Sequence, residues 1–263
     1  MLFPIKSYLQ FLWLSKNEHA VHSPFVFTLI TKCFYDRKLK TDYTILKQFR
    51  QELLDNNSSI EITDFGAGSK VFKSNHRVIS QMAKTAGIGT KRAELLYRIS
   101  TYFQSKNILE LGTSLGLATS ALSLGSRTVE TKATITTLEG CPQTANQAQL
   151  QFQKFGFKNI DIVVGEFDTS FEKLSIENSK YDLIYFDGNH SKKATLDYFE
   201  RLVPTITNDT VWIFDDIHWS AEMEAAWEII KKHPKVKVTI DTYQWGLVFF
   251  RYEQPKQHFI IRT

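Results

Sequence analysis

From residue 91 onward, short apolar runs alternate with longer amphipathic stretches. Leu95, Leu96, Ile99 and Phe103 recur at helical spacing and predict a helix over 91–104. Asn107 to Leu111 is a short apolar run that ends at a glycine-rich turn, which predicts a buried strand. Further strands are predicted at 133–138, 160–164, 181–186, 211–214, 236–240 and 247–251, with helices at 115–125, 142–155, 191–202 and 220–232. Regular alternation of this kind implies a parallel sheet covered on both faces. The last two strands are joined by a segment too short for a crossover helix, so they suit an antiparallel hairpin. The result is an α/β sheet of seven strands, mostly parallel, with an antiparallel strand at its C-terminal end.

The first 55 residues read differently. Ile5, Leu9 and Leu12, then Phe25, Leu29 and Ile30, recur at helical spacing. Ser23 suits a helix cap and Pro24 the first helical position. The polar cluster 55–59 marks a turn, and a soft boundary is expected within 55–90. The organisation expected is a helical extension over 1–87, capping the substrate side, and an α/β domain over 88–263. The apolar segment Met1–Leu14 contains Lys6 and Pro4, is too short to span a bilayer, and lacks the features of a signal peptide. A helix docked on the main domain is favoured over a membrane-surface foot in which Phe3, Phe11 and Trp13 insert.

Composition narrows the picture modestly. A chain of 263 residues can bury a sizeable core, and 43% hydrophobic with 23% charged residues is ordinary for a globular protein. The net charge of +4 is too small, and its Lys and Arg too scattered, to indicate nucleic-acid binding. Cys33 and Cys141 show no paired metal-binding spacing and no disulfide framework, so a reducing, cytoplasmic setting is expected.

The segment Ile108-Leu-Glu-Leu-Gly-Thr-Ser-Leu-Gly116 follows a strand and opens a helix. Gly112 permits a tight turn, and Gly116 a close approach of backbone to ligand or helix to strand. The helix start offers free N–H groups to a carboxylate or phosphate. Glu139 ends the next strand, where an acid can accept hydrogen bonds from both hydroxyls of a ribose. The glycines are four apart, so the dinucleotide pattern G-x-G-x-x-G is absent. A second glycine loop, Asp64-Phe-Gly-Ala-Gly-Ser69, lacks the helix and the strand-ending acid that should follow. It reads as a lid or substrate-contacting loop, or as plain structure.

Glu110-Leu-Gly112-x-x-x-Gly116 resembles motif I of the class I S-adenosylmethionine-dependent methyltransferases. The resemblance covers about residues 88–252 and implies a Rossmann-like fold. It implies a cofactor site of Glu110, Gly112, Thr113, Ser114, Gly116, Glu139 and Gly140. Glu166 and Phe167 would lie near the adenine, and Asp187 near the methionine part.

Two further strand ends carry acids. Tyr181-Asp-Leu-Ile-Tyr-Phe-Asp187-Gly-Asn-His190 ends one strand, and Trp212-Ile-Phe-Asp215-Asp216-Ile-His218 the next. In open α/β sheets ligands bind beyond the carboxyl ends of the strands. Three converging carboxylates would repel one another unless a cation such as Mg²⁺, Mn²⁺ or Ca²⁺ joined them. The pattern is similar to the cation-dependent O-methyltransferases of the catechol and caffeoyl-coenzyme A type and their bacterial relatives. That resemblance implies Asp187, Asp215 and Asp216 as metal ligands, although Asp215-Asp216 departs from the family's usual Asp-Asn. His190 occupies the place of the relatives' lysine base, and neutral imidazole suits hydroxyl deprotonation near pH 7. His190 and Asp187 are therefore the expected catalytic pair, with His218 in reserve. Trp219, Trp227 and Trp245 are weighed as walls for an acceptor against plain core.

The activity implied is methylation of a small-molecule hydroxyl. Methylation of RNA, protein or a lipid headgroup, a non-catalytic cofactor-binding module, and a nicotinamide oxidoreductase are the rivals. The resemblance also implies a homodimer.

Overall fold

The computed structural model describes residues 2–63, 74–127, 133–176 and 179–263. The glycine loop 64–69 therefore lies outside the described residues. The chain forms two compact units, one of Met1–Asp36 with Ile176–Thr263, the other of Arg37–Ser175.

The first unit begins with α1 (Leu2–Leu14) and α2 (Pro24–Leu29), which continues through a π-type turn at Ile30–Phe34. Ser23 caps α2 by accepting from the Val26 N–H at 3.4 Å, and Pro24 follows it as expected. The second unit holds α3 (Asp42–Asp55), the hairpin β1 (Ser59–Glu61) and β2 (His76–Val78), α4 (Ile79–Thr85) and α5 (Thr90–Tyr102). It continues as β3 (Asn107–Leu111), α6 (Leu117–Gly125), β4 (Thr134–Glu139), α7 (Pro142–Lys154), β5 (Ile160–Val164) and α8 (Phe167–Lys173). The remaining elements complete the first unit. They are β6 (Leu183–Phe186), α9 (Lys192–Leu202), β7 (Val211–Asp215), α10 (Ala221–Lys232), β8 (Val238–Asp241), β9 (Trp245–Phe249) and β10 (Gln257–Ile260).

In the second unit β4 runs parallel between β3 and β5, with Leu109 opposite Thr136 and Leu138 opposite Val163. Such right-handed strand–helix–strand steps bring all three C-terminal strand ends to one edge. Every residue of α6 is buried. Helices α3 and α5 pack against α6, which explains why they belong to this unit. An aromatic cluster of Phe49, Phe152, Phe155 and Phe157 fills the space between α3 and α7.

In the first unit β6 and β7 are parallel, and β9 lies antiparallel between β7 and β8. The expected hairpin of the last predicted strands is thus present. Its core is aromatic, with Phe186 stacked on Phe214 at 4.1 Å and Phe199 edge-on to Trp212 at 5.2 Å.

Apart from the β1–β2 hairpin, the described residues hold eight strands rather than the expected seven, three in the second unit and five in the first. The additional strand, β10, pairs parallel to β8. Its half-buried Gln-His-Phe-Ile sequence has neither a continuous apolar run nor clean alternation, which is why periodicity does not mark it. The division into units also departs from the expected boundary at 87. Helices α1 and α2 pack with the C-terminal segment instead. Phe25 meets Phe249 ring to ring at 5.1 Å, and Tyr35 donates to the Arg262 carbonyl at 2.9 Å. Such pairings link residues more than 200 positions apart and leave no local trace in the sequence.

Candidate active site

The glycine loop is a strained turn with a specific neighbour for each bend. The Gly112 and Thr113 N–H groups both donate to the Leu138 carbonyl, at 2.9 and 3.1 Å, fastening the loop to the end of β4. Gly112 has φ 102° and Gly116 φ 80°, both in the region that favours glycine. A Cβ on Gly116 would sit 2.4 Å from the Phe152 ring. Ser114 also adopts positive φ, at 49°, so three of five residues turn left-handed. No side chain caps α6, whose first N–H groups remain available to an anion.

Glu139 ends β4 half-buried beside this loop. One carboxylate oxygen accepts from the Ser114 N–H at 2.8 Å and the other from the Cys141 N–H at 2.9 Å. Its carbonyl accepts from the Gly165 N–H at 3.0 Å, which ties in the end of β5. Gly165, at φ 142°, turns the chain into α8, with exposed Glu166 before it and half-buried Phe167 as its first residue. The expected cofactor positions of this unit therefore share one strand edge.

They do not all face outward. Glu110 is completely buried, and one of its oxygens accepts from Thr119 at 2.5 Å and from Thr137 at 2.6 Å. Burial is the main reason its pKa is pushed up to about 8, against the two threonine hydrogen bonds and with help from Glu139. Thr113 is buried too, with its hydroxyl 2.6 Å from that of Thr137. Glu110 and Thr113 thus brace the loop from behind rather than line it. Gly112, Ser114, Glu139 and Gly140 are the accessible members.

In the other unit, Asp187 directly follows β6, and the chain turns through Asn189, at φ 52°, to His190. The His190 Nε2 lies 3.6 Å from an Asp187 oxygen, and both side chains are partly accessible. Ser191 then caps α9 by accepting from the Ala194 N–H. The expected catalytic pair is brought together by a three-residue bend.

The expected metal set is not assembled. Among the described residues no three His, Cys, Asp or Glu side chains are grouped to hold a metal ion. Asp215 is buried at the last position of β7, opposite Trp245. Positive φ at Asp216, 53°, then turns the backbone between the two acids.

The description "Methyltransferase domain" belongs to a family model that matches residues 109–217, from β3 to just past β7. Residues 109–217 of this chain are similar to that domain. Solved structures agree on the fold. A Podospora anserina methyltransferase with bound SAH superposes with a TM-score of 0.60 at 13% identity, over 88% of this chain and 97% of that one. The O-methyltransferase from Bacillus cereus in complex with SAH gives 0.56 at 15% identity, over 84% and 94%. TomG, an O-methyltransferase of Streptomyces achromogenes involved in tomaymycin synthesis, in complex with SAM, gives 0.56 at 13%, also over 84% and 94%. No curated protein matches the sequence. The Rossmann-like fold expected from the glycine loop is thus the fold of known O-methyltransferases.

Within the first unit, His218 is held between two carboxylates. Its Nδ1 lies 2.6 Å from Glu224 and its Nε2 2.8 Å from Asp241. A ring facing a carboxylate on each nitrogen donates from both only as imidazolium. Burial opposes the charge, but the hydrogen bonds and charges of Asp241 and Glu224 outweigh it and raise the pKa. Ser7 of α1 joins this group, with its hydroxyl 3.0 Å from Nδ1 and donating to Glu224. Sequence reading missed the group because its members come from α1, α10, the end of β8 and the turn after β7. Trp227 and Trp245 are core residues, whereas Trp219 is 43% exposed. The basic C-terminus folds back, with Arg262 donating to the Leu12 carbonyl at 2.8 Å and Lys256 to the His233 carbonyl at 2.9 Å.

Proposed function

We propose that this chain is an S-adenosylmethionine-dependent O-methyltransferase acting on the hydroxyl of a small molecule. The observation that carries the reading is the Glu139 carboxylate, fixed at the mouth of the glycine loop by two backbone N–H groups. A carboxylate at this strand end suits the two hydroxyls of a ribose. The left-handed bend at Gly112 lets backbone approach a ligand, and Gly116 lets the loop pack against the Phe152 ring. The uncapped start of α6 suits the carboxylate of an amino-acid moiety. Phe167 and Glu166 stand at the neighbouring strand end, where an adenine ring would need a flat apolar contact and a hydrogen-bonding backbone.

S-adenosylmethionine, when bound, supplies an electrophilic methyl group on a sulfonium sulfur. The chain's own residues bind, orient and move one proton. His190 accepts the acceptor's hydroxyl proton, and Asp187, 3.6 Å away, orients the ring and stabilises the imidazolium that results.

The test is methyl transfer from labelled cofactor to a panel of catechols and other hydroxylated aromatics. His190→Ala should lower kcat by about 10²–10⁴-fold while the cofactor KM stays unchanged. Unchanged kcat would remove His190 from the chemistry, and label found only on amines would contradict O-methylation.

A further inference from the structure

Helix α1 is apolar on nearly all sides, and only one side is covered. Its inner side is fixed: Ser7 and Phe11 are buried, the Phe11 ring lies 5.5 Å from that of Tyr243, and the Tyr243 hydroxyl donates to the Pro4 carbonyl at 2.8 Å. Ile5, Leu9 and Trp13 follow one another at four-residue steps on the opposite side, and they are 58%, 61% and 85% exposed. They form an open apolar strip along the helix. A helix with apolar residues all round normally has both faces covered.

The charges beside the strip are all of one sign. Residues 1–17 contain Lys6 and Lys16 and no acid. Both lysines are exposed; Lys6 projects beside the strip by the 100° step of the helix, and Lys16 lies just past the helix's end. Arg262 adds a third cation at the C-terminal end of α1, donating to the Ser15 hydroxyl at 3.0 Å. A second copy of the chain is a poor occupant. A twofold pairing of this face would set lysines against lysines with no acid on the helix to neutralise them. The helix has thirteen residues, and no helix among the described residues is long and apolar enough to cross a membrane.

We propose that the outer face of α1 docks on the surface of an anionic phospholipid membrane, with Ile5, Leu9 and Trp13 sinking into the headgroup boundary and Lys6, Lys16 and Arg262 meeting lipid phosphates. A basic and apolar helix face is the usual composition of a helix lying in the plane of a bilayer surface, and Trp favours that depth. Phe11 takes no part, because the fold uses it internally.

The experiment is flotation of the full chain with vesicles of phosphatidylcholine alone or mixed equally with phosphatidylglycerol. Binding should be stronger to the anionic vesicles by about tenfold or more and should weaken with added salt. The double variant Leu9→Glu, Trp13→Glu should lose it while keeping the wild-type melting temperature, since both positions are exposed. Failure to float with either vesicle overturns the proposal. So does a salt-insensitive binding that survives the double variant. A concentration-dependent dimer abolished by the same variant, with no flotation, would assign the face to a second copy instead.

Discussion

Glu110 shows how a motif residue can serve a site without touching it. Its sequence position suggests a ligand contact, yet it is sealed behind the loop and holds Thr119 and Thr137. Burial raises its pKa from an ordinary 4.5 to about 8, so between those values the folded chain holds a proton that the unfolded chain releases. Stability should therefore fall as pH rises across that window. Glu110→Gln, which keeps the shape without the charge, should remove this part of the decline in melting temperature, and an unchanged slope would contradict the assignment. Gly116→Ala tests the loop from the other side. Positive φ and a Cβ 2.4 Å from the Phe152 ring should together destabilise the fold by about 1–3 kcal/mol in denaturant titration.

Elements rather than residues explain the attachment of α1. Four residues that were separate in the sequence meet there: Ser7 on the helix, His218 after β7, Glu224 on α10 and Asp241 on β8. The folded pKa of His218 lies above the ordinary 6.5. Its pairing is thus complete below that value and is lost as pH rises through the raised folded value. His218→Gln should flatten this limb of the stability–pH curve and lower stability most at acid pH. The Tyr243 hydroxyl gives an independent check, because Tyr243→Phe removes one bond to the Pro4 carbonyl and should cost about 1 kcal/mol. If neither variant changes stability, α1 is held by apolar contact alone.

At the scale of the whole molecule, local pattern and local chemistry were legible and long-range pairing was not. The strands 107–111 and 160–164 lie where their apolar runs ended, since β-branched and apolar residues bounded by turns leave few alternatives. The glycine loop was legible for a similar reason: positive φ at two positions demands glycine, and Glu139 follows at a strand end. The burial of Glu110 was not legible, because burial depends on what packs behind a residue, not on the motif. Asp187 and Asp215 stand at neighbouring strand ends, as the sequence implied, but strand order alone does not set how their side chains group. Strand β10 and the pairing of α1 with the C-terminal segment needed partners far along the chain.

The central claim, that the glycine loop and Glu139 grip an adenosine through its sugar, is tested most directly by titration calorimetry with S-adenosylhomocysteine. The account predicts one site per chain, and an affinity that Glu139→Gln weakens by about tenfold or more without loss of fold. No heat of binding to the folded wild-type chain, or an affinity indifferent to Glu139, would contradict it.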